Sequence, residues 1–397
     1  MSRIPVLVWL CLQPVIWQST TFSQGDPPAQ LILEGQEAIY RLQYSKAHEI
    51  LLKAKNDYPN SPVGYGMLSI LAWSQLLSES SNLALDDYST PSPFGKARTR
   101  KPIATASRRF HEANNALREK CEQLLSRNPN DVRALYFQGL AYENLAAEAI
   151  VIVKDKRTAS SNGRRAKGIH ERVLELDSRL VDAKVSLAAY DYAAANLPAI
   201  YRFLLFWILG NEQRAFALMG EVAEKGEYRR YDARLLLGLM KAWKGKRDYA
   251  AQAAEAFEGL RRQFPENFLL DLNLAAIYEK NDPKAALRVY ESLLAALSSK
   301  TPGLQPGEVW LRVGRCQYRL RNYTQALEAF QKALAGHPRE KETPPLCQYY
   351  SGLIHEAQGD RVRAIESFRA VVKDQSLTAI SKEMEDAQHR LEKLRGS

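Results

Sequence analysis

Apolar and small residues return along this chain at a fixed spacing. In the unit that runs from Gly307 to His337 and the proline after it, Trp310 and Gly314 are followed by Ala326, Phe330, Ala333 and Pro338, at offsets of 4, 16, 20, 23 and 28 from the tryptophan. Spacings of three and four share a helix face, so the pattern predicts two helices, with the proline stopping the second. Small residues fall where the two helices of a hairpin touch, and large ones fill the gap between hairpins. The spacing recurs in Gly352, Ala364 and Phe368, and in Ala275, Tyr278, Ala286 and Tyr290 with one residue deleted. Ala253, Phe257 and Pro265 repeat it earlier, and Gly35, Ala47, Leu51, Ala54 and Pro59 repeat it near the front. Eight hairpins are expected, followed by a polar-faced helix from about Ala379 to Arg395 that covers the exposed end of the array.

The six positions resemble the tetratricopeptide repeat, a unit of about 34 residues with Trp, Gly, Ala, Phe, Ala and Pro at those offsets. The resemblance covers nearly all of the chain after residue 23. It is tightest over 307–378, looser over 28–61 and 230–303, and loosest over 62–229. It implies an all-α fold, an α-solenoid wound as a right-handed superhelix. It also implies that the first helix of each hairpin lines an inner face that holds peptide or protein segments. Inner-face positions are then Arg133, Tyr136, Leu140 and Asn144 in one repeat, and Leu311, Arg315, Tyr318 and Arg319 in the best-formed one. Arginine and aromatic side chains are the usual anchors of binding surfaces, with solvated helix faces as the alternative reading. The paired Lys/Asn and Lys/Arg pattern of the family's chaperone-tail clamps is absent from the sequence.

Departures from the spacing divide the chain. Gly139 to Ala166 is 27 residues where the pattern expects 12, and Ala188 to Ala215 shows the same excess of 15. Equal excesses suggest that each hairpin helix has grown by about two turns. A longer insertion between Ser69 and Leu117 contains the polar, proline-bearing stretch Asp86 to Pro93, which reads as a loop. All three insertions fall between the two helices of a hairpin and so belong on one edge of the stack. The expected organisation is a leader at 1–23, hairpins with long insertions at 24–229, regular repeats at 230–378 and a capping helix at 379–397. A bend is expected at Ser298–Gly307, where proline and glycine cluster.

The leader has its own logic. Arg3, an apolar run from Val6 to Trp17 and small residues at Thr21 and Ser23 read as a secretory signal cleaved after Ser23. An uncleaved anchor is the alternative, although the apolar run is far short of the roughly 20 residues a spanning helix needs. The style of the signal points to a bacterial periplasm or cell envelope, or to secretion. After cleavage, Cys121, Cys316 and Cys347 remain; their odd number and wide spacing argue for small apolar helix residues, with neither disulfides nor a thiolate metal site.

Charge adds a second candidate surface. The chain carries a formal +10, and residues 94–109 alone sum to +6 through Lys96, Arg98, Arg100, Lys101, Arg108 and Arg109. Residues 153–167 sum to +5, with Lys154, Lys156, Arg157, Arg164, Arg165 and Lys167 against Asp155. The third insertion, Leu197 to Gly210, is almost wholly apolar and holds Tyr201, Phe203, Phe206 and Trp207. On one edge, these would make a basic ridge beside an aromatic tip, suited to an anionic membrane surface or to an acidic protein. The competing reading packs the apolar run inside the hairpins and leaves the basic residues solvated. Nucleic acid is disfavoured as a partner, because the basic windows lack interleaved aromatics.

Catalytic signatures are missing from the sequence. His48, His111, His170 and His355 each precede a glutamate, but none continues to HExxH, and they read as surface helix histidines. Gly245-Lys246-Arg247 is no P-loop, and neither GxGxxG nor GxSxG occurs. The expectation is a binding protein with no catalytic residues, cofactor or metal.

Overall fold

A computed structural model describes residues 25–79, 104–196, 210–244, 246–297, 305–336, 338, 341–373 and 380–396. Among these residues there are seventeen α-helices and no strand. In chain order they are α1 (Ala29–Tyr40), α2 (Tyr44–Asp57), α3 (Val63–Glu79), α4 (Ala104–Arg127), α5 (Val132–Glu148), α6 (Lys156–Leu176), α7 (Lys184–Ala195), α8 (Glu212–Lys225) and α9 (Arg230–Trp243). Then follow α10 (Arg247–Gln263), α11 (Phe268–Asn281), α12 (Pro283–Ala296), α13 (Pro306–Arg319), α14 (Tyr323–Ala335), α15 (Thr343–Ala357), α16 (Arg361–Val372) and α17 (Ser381–Gly396). Each helix packs on the next, so α1/α2 through α15/α16 form eight hairpins and α17 closes the stack.

The repeated residues do what their sizes require. Ala326 and Ala333 are fully buried on α14, and Phe330 projects from the same face toward Gly314 on α13. A Cβ added at Gly314 would lie 2.3 Å from the Phe330 ring, so only glycine allows this approach. Trp310 packs against the clusters on both sides of α13, and Pro338 follows the end of α14. Polar caps start several helices: Asp131 accepts from the Ala134 amide at 2.9 Å, and Asp282 from the Ala285 amide at 3.0 Å. On α17, Ala387 and Leu391 bury against Phe368 and Val371, while Lys382, Glu385, Gln388 and Glu392 face solvent. That is the expected cap.

The insertions divide into two kinds. In hairpin three, α5 continues through a π-helical turn at Ala149–Val153 and α6 spans 21 residues, so both helices are lengthened. In hairpin four, α7 and α8 have 12 and 14 residues, the ordinary length; the lengthening expected there does not occur in the described helices, and the excess lies at 197–209, outside the described residues. Lys96, Arg98, Arg100 and Lys101, the leader at 1–23 and most of the expected bend at Ser298–Gly307 also lie outside them. Across that last gap, α12 packs on α13, and Val309 and Val313 join one core with α10–α12.

Hairpin three also corrects the reading of His170. It is fully buried, occupying on α6 the place that Phe330 takes on α14, and a Cβ at Gly139 would lie 2.3 Å from its Nε2. Its ring contacts the Tyr136 carbonyl at 3.0 Å through Nε2 and the Ser186 hydroxyl at 2.6 Å through Nδ1.

The stack turns back on itself. Helix α1, at the start of the first hairpin, meets residues 227–267 of the fifth and sixth. The Gln36 amide donates to the Glu227 carbonyl at 2.9 Å, and the Tyr40 hydroxyl to Asp232 at 2.6 Å. The Asn267 amide donates to the Tyr40 carbonyl at 2.7 Å, and Arg41 pairs with Glu266 at 3.2 Å. The Tyr40 ring lies 5.3 Å from those of both Tyr231 and Phe264. The chain's first helix is therefore held against the start of α9 and the turn between α10 and α11.

Candidate functional site

Two stretches of first-helix surface carry the residues singled out by sequence, and the structure treats them differently. On α5, Arg133, Tyr136, Leu140 and Asn144 do share one face. Tyr136 is buried, stacked between the rings of His170 and Tyr228 at 5.3 and 5.6 Å. Asn144 is buried too, donating to the Ser69 hydroxyl at 2.8 Å, which in turn donates to Asn114 at 3.0 Å. Arg133 is ion-paired with Asp26. Tyr136 and Asn144 thus serve the core, and a partner cannot reach them in this conformation.

The cover over α5 is built from charge. Asp182 accepts the amides of Glu227, Tyr228 and Arg229 at 2.9, 3.0 and 2.8 Å, which fixes the turn that lays Tyr228 on Tyr136. Burial pushes the Asp182 carboxyl up, and the three amides pull it back. Arg229, also buried, bridges Glu143 at 3.1 Å and Asp232 at 2.5 Å, tying α5 to α9. A buried arginine needs two such partners, because one carboxylate does not offset its desolvation.

The rear half is more open. Arg315 on α13 pairs with Glu279 on α11 at 2.9 Å, and Arg319 donates to the Glu279 carbonyl at 2.5 Å. Tyr318 sits beside Tyr350 at 5.5 Å, and Arg390 on α17 joins Asp386 and Glu356 at 2.6 and 2.5 Å. These links cross from helix to helix and hold neighbouring hairpins in register. Arg319 and Lys280 remain exposed, and Arg315 and Tyr318 half-buried. Of the six partner-binding candidates, Arg315, Tyr318 and Arg319 reach solvent together.

The basic candidates on α6 are partly occupied. The Arg165 guanidinium lies 4.1 Å from the Tyr142 ring, Lys167 pairs with Glu171 at 2.5 Å, and Arg164 donates to the Ser160 hydroxyl at 3.4 Å. Arg164 and Arg165 are exposed, while Lys167 is half-buried. At the hairpin tip, Val153 is 60% exposed next to Lys154, which adopts a left-handed conformation.

Chemistry is scarce elsewhere among the described residues. No group of three His, Cys, Asp or Glu side chains could hold a metal ion. Cys121, Cys316 and Cys347 are free and buried, each thiol pushed up to about 12 by desolvation. No described helix is long and apolar enough to cross a membrane.

The tetratricopeptide repeat family model matches residues 278–341 and 314–379, which include the Gly314–Phe330 and Gly352–Phe368 contacts. Residues 278–379 of the chain are tetratricopeptide repeats. Proteins of this family bind protein or peptide partners, and no enzyme family is indicated. This repeat protein is similar to a chain of the APC/C hetero-tetramer Cut9–Hcn1, with 14% identity, covering 90% of this chain and 55% of that one, at a TM-score of 0.48. It thus spans about half the length of that relative. Yeast Tom70 is similar at 14% identity, with 91% and 87% of the two chains covered and a TM-score of 0.39. The human IFIT1 dimer with m7Gppp-AAAA is similar at 16% identity, with 93% and 82% covered and a TM-score of 0.44. No curated protein matches the sequence.

Sequence reasoning missed His170 and the residues of the closure. His170 carried a signal: it follows Ala166 by four residues, as Phe330 follows Ala326. Tyr40, Asp232 and Asn267 carried none.

Proposed function

We propose that this repeat protein is a non-catalytic scaffold or adaptor, exported to the bacterial periplasm or cell envelope, that holds a protein segment against the first-helix surface of its rear half. The observation that carries the reading is that Arg315, Tyr318 and Arg319 on α13 reach solvent, whereas Tyr136 and Asn144 at the equivalent positions of α5 are buried. Arginine and tyrosine supply anion pairing and large contact area at low entropic cost. The leader, read as a secretory signal, supports export, and intact mass of the protein recovered from the host envelope tests cleavage after Ser23.

Affinity capture from an envelope fraction tests the binding. The full chain should retain protein partners through detergent and nuclease washes, and Tyr318→Ala with Arg319→Glu should lose them. Partners held equally by both forms, or released by nuclease, would contradict the reading.

A second reading is favoured by Val153, which stands exposed at the tip of hairpin three beside Lys156 and Arg157. An apolar residue among cations suits an anionic membrane surface, each cation contributing about 1 kcal/mol. Flotation with anionic liposomes would then be lost on reversing Arg164, Arg165 and Lys167 to glutamate. Equal flotation of both forms removes that alternative.

A further inference from the structure

Helices begin differently at the two edges of the rear half. At the edge between hairpins, α9, α11, α13 and α17 each start with an acid in the first turn: Asp232, Asp271, Glu308 and Glu383. That is the sign a helix dipole favours. At the other edge, inside hairpins six to eight, α12, α14 and α16 start with no acid. Lys284 stands in the first turn of α12, Arg321 just precedes α14, and Arg361 and Arg363 open α16. Cations at a helix start oppose the dipole, so helix stability does not explain them.

The first helices end at this same edge, where Lys280 closes α11. Hairpins six, seven and eight stand side by side here. Arg319 at the end of α13 donates to the Glu279 carbonyl on α11, and Tyr318 meets Tyr350 on α15. The acids of the turns are engaged: Asp282 caps α12 through the Ala285 amide, and Asp360 caps α16 through the Arg363 amide and pairs with the Arg363 side chain at 3.2 Å. Lys280, Lys284, Arg321 and Arg361 are exposed and make no ion pair among the described residues. Val362, between two arginines, is 68% exposed, the most exposed large apolar side chain among those residues. The turn of hairpin three repeats the arrangement, with exposed Val153 ahead of Lys156 and Arg157.

We propose that the turn edge of hairpins six to eight docks on an anionic phospholipid surface, with Lys284, Arg321 and Arg361 on headgroup phosphates and Val362 entering the interface. A lone aliphatic side chain projecting between cations needs a surface that yields around it. A headgroup layer does so, whereas a folded acidic protein must offer a matching pocket. This rests on the membrane reading of hairpin three and extends it to the regular repeats, independently of the first-helix surface of α13.

Flotation of the full chain with phosphatidylcholine vesicles, with and without phosphatidylglycerol, tests it on Arg321→Glu combined with Arg361→Glu, and separately on Val362→Ser. Glutamate at position 361 agrees with the helix dipole, so Arg361→Glu alone should unfold no more easily than the parent, which separates lost docking from lost fold. Expected is flotation only with phosphatidylglycerol, weakened roughly tenfold by the double reversal and severalfold by Val362→Ser. Flotation of either variant equal to the parent's, or flotation without phosphatidylglycerol, would overturn the edge. If reversal of Arg164, Arg165 and Lys167 alone abolished flotation, the edge would fall and the hairpin-three reading would stand. No flotation of the unaltered chain would overturn both.

Discussion

Single residues hold several of the hairpins shut. A glycine on the first helix accepts a ring from the second, and the ring is phenylalanine in α13/α14 but histidine in α5/α6. Gly139→Ala would drive a methyl into the His170 ring, which is backed by Tyr136, and should destabilise the protein by about 1–3 kcal/mol in urea unfolding. A cost near zero would show that the ring can shift. The histidine brings a pH dependence that phenylalanine could not. Desolvation is the largest influence on His170 and lowers its pKa below 6.5 in the fold. A group that the fold holds neutral contributes fully above its unfolded pKa. That contribution declines as the pH falls from 6.5 toward the lowered value. A proton NMR titration of His170 should therefore show a midpoint below 6.5, and His170→Phe should flatten the stability loss in that window. A midpoint at or above 6.5 would contradict the burial.

At the scale of elements, the hairpins are set by caps and by the small–large spacing. Asp131 closes the start of α5 through the Ala134 amide, so Asp131→Ala should cost about 1 kcal/mol and fray the helix that carries Tyr136 and Asn144. Amide exchange across Val132–Leu135 reads this directly, and unchanged protection would remove the cap's role. Most of this level was legible in the sequence. Trp310, Gly314, Ala326 and Phe330 announce a helix pair because each pairing lies within one repeat, and local spacing encodes local contacts. The same register carried His170, a titratable side chain at a position that phenylalanine fills in α14. The long helices of hairpin three were foreseen from the excess of 15 residues, yet the same excess in hairpin four left α7 and α8 at ordinary length.

For the whole molecule, the decisive feature is where the array returns. Small rotations from hairpin to hairpin accumulate until α1 faces α9 and the α10–α11 turn, and no pairwise spacing encodes that sum. This is why Tyr136 and Asn144 were legible as one face of α5 but not as buried: their cover comes from Tyr228 and the turn held by Asp182, far along the chain. The closure concentrates the open first-helix surface on α13 and its neighbours, where Arg319 and Tyr318 reach solvent. The measurement that tests it most directly is an electron–electron distance between spin labels at Arg41→Cys and Glu266→Cys, in a Cys11→Ser background whose three other thiols are buried. The exposed pair that the labels replace is worth little, so Tyr40, Asp232 and Asn267 should keep the contact. A single narrow distribution at the short end of the range is expected, and a broad or long one would mean that the superhelix stands open.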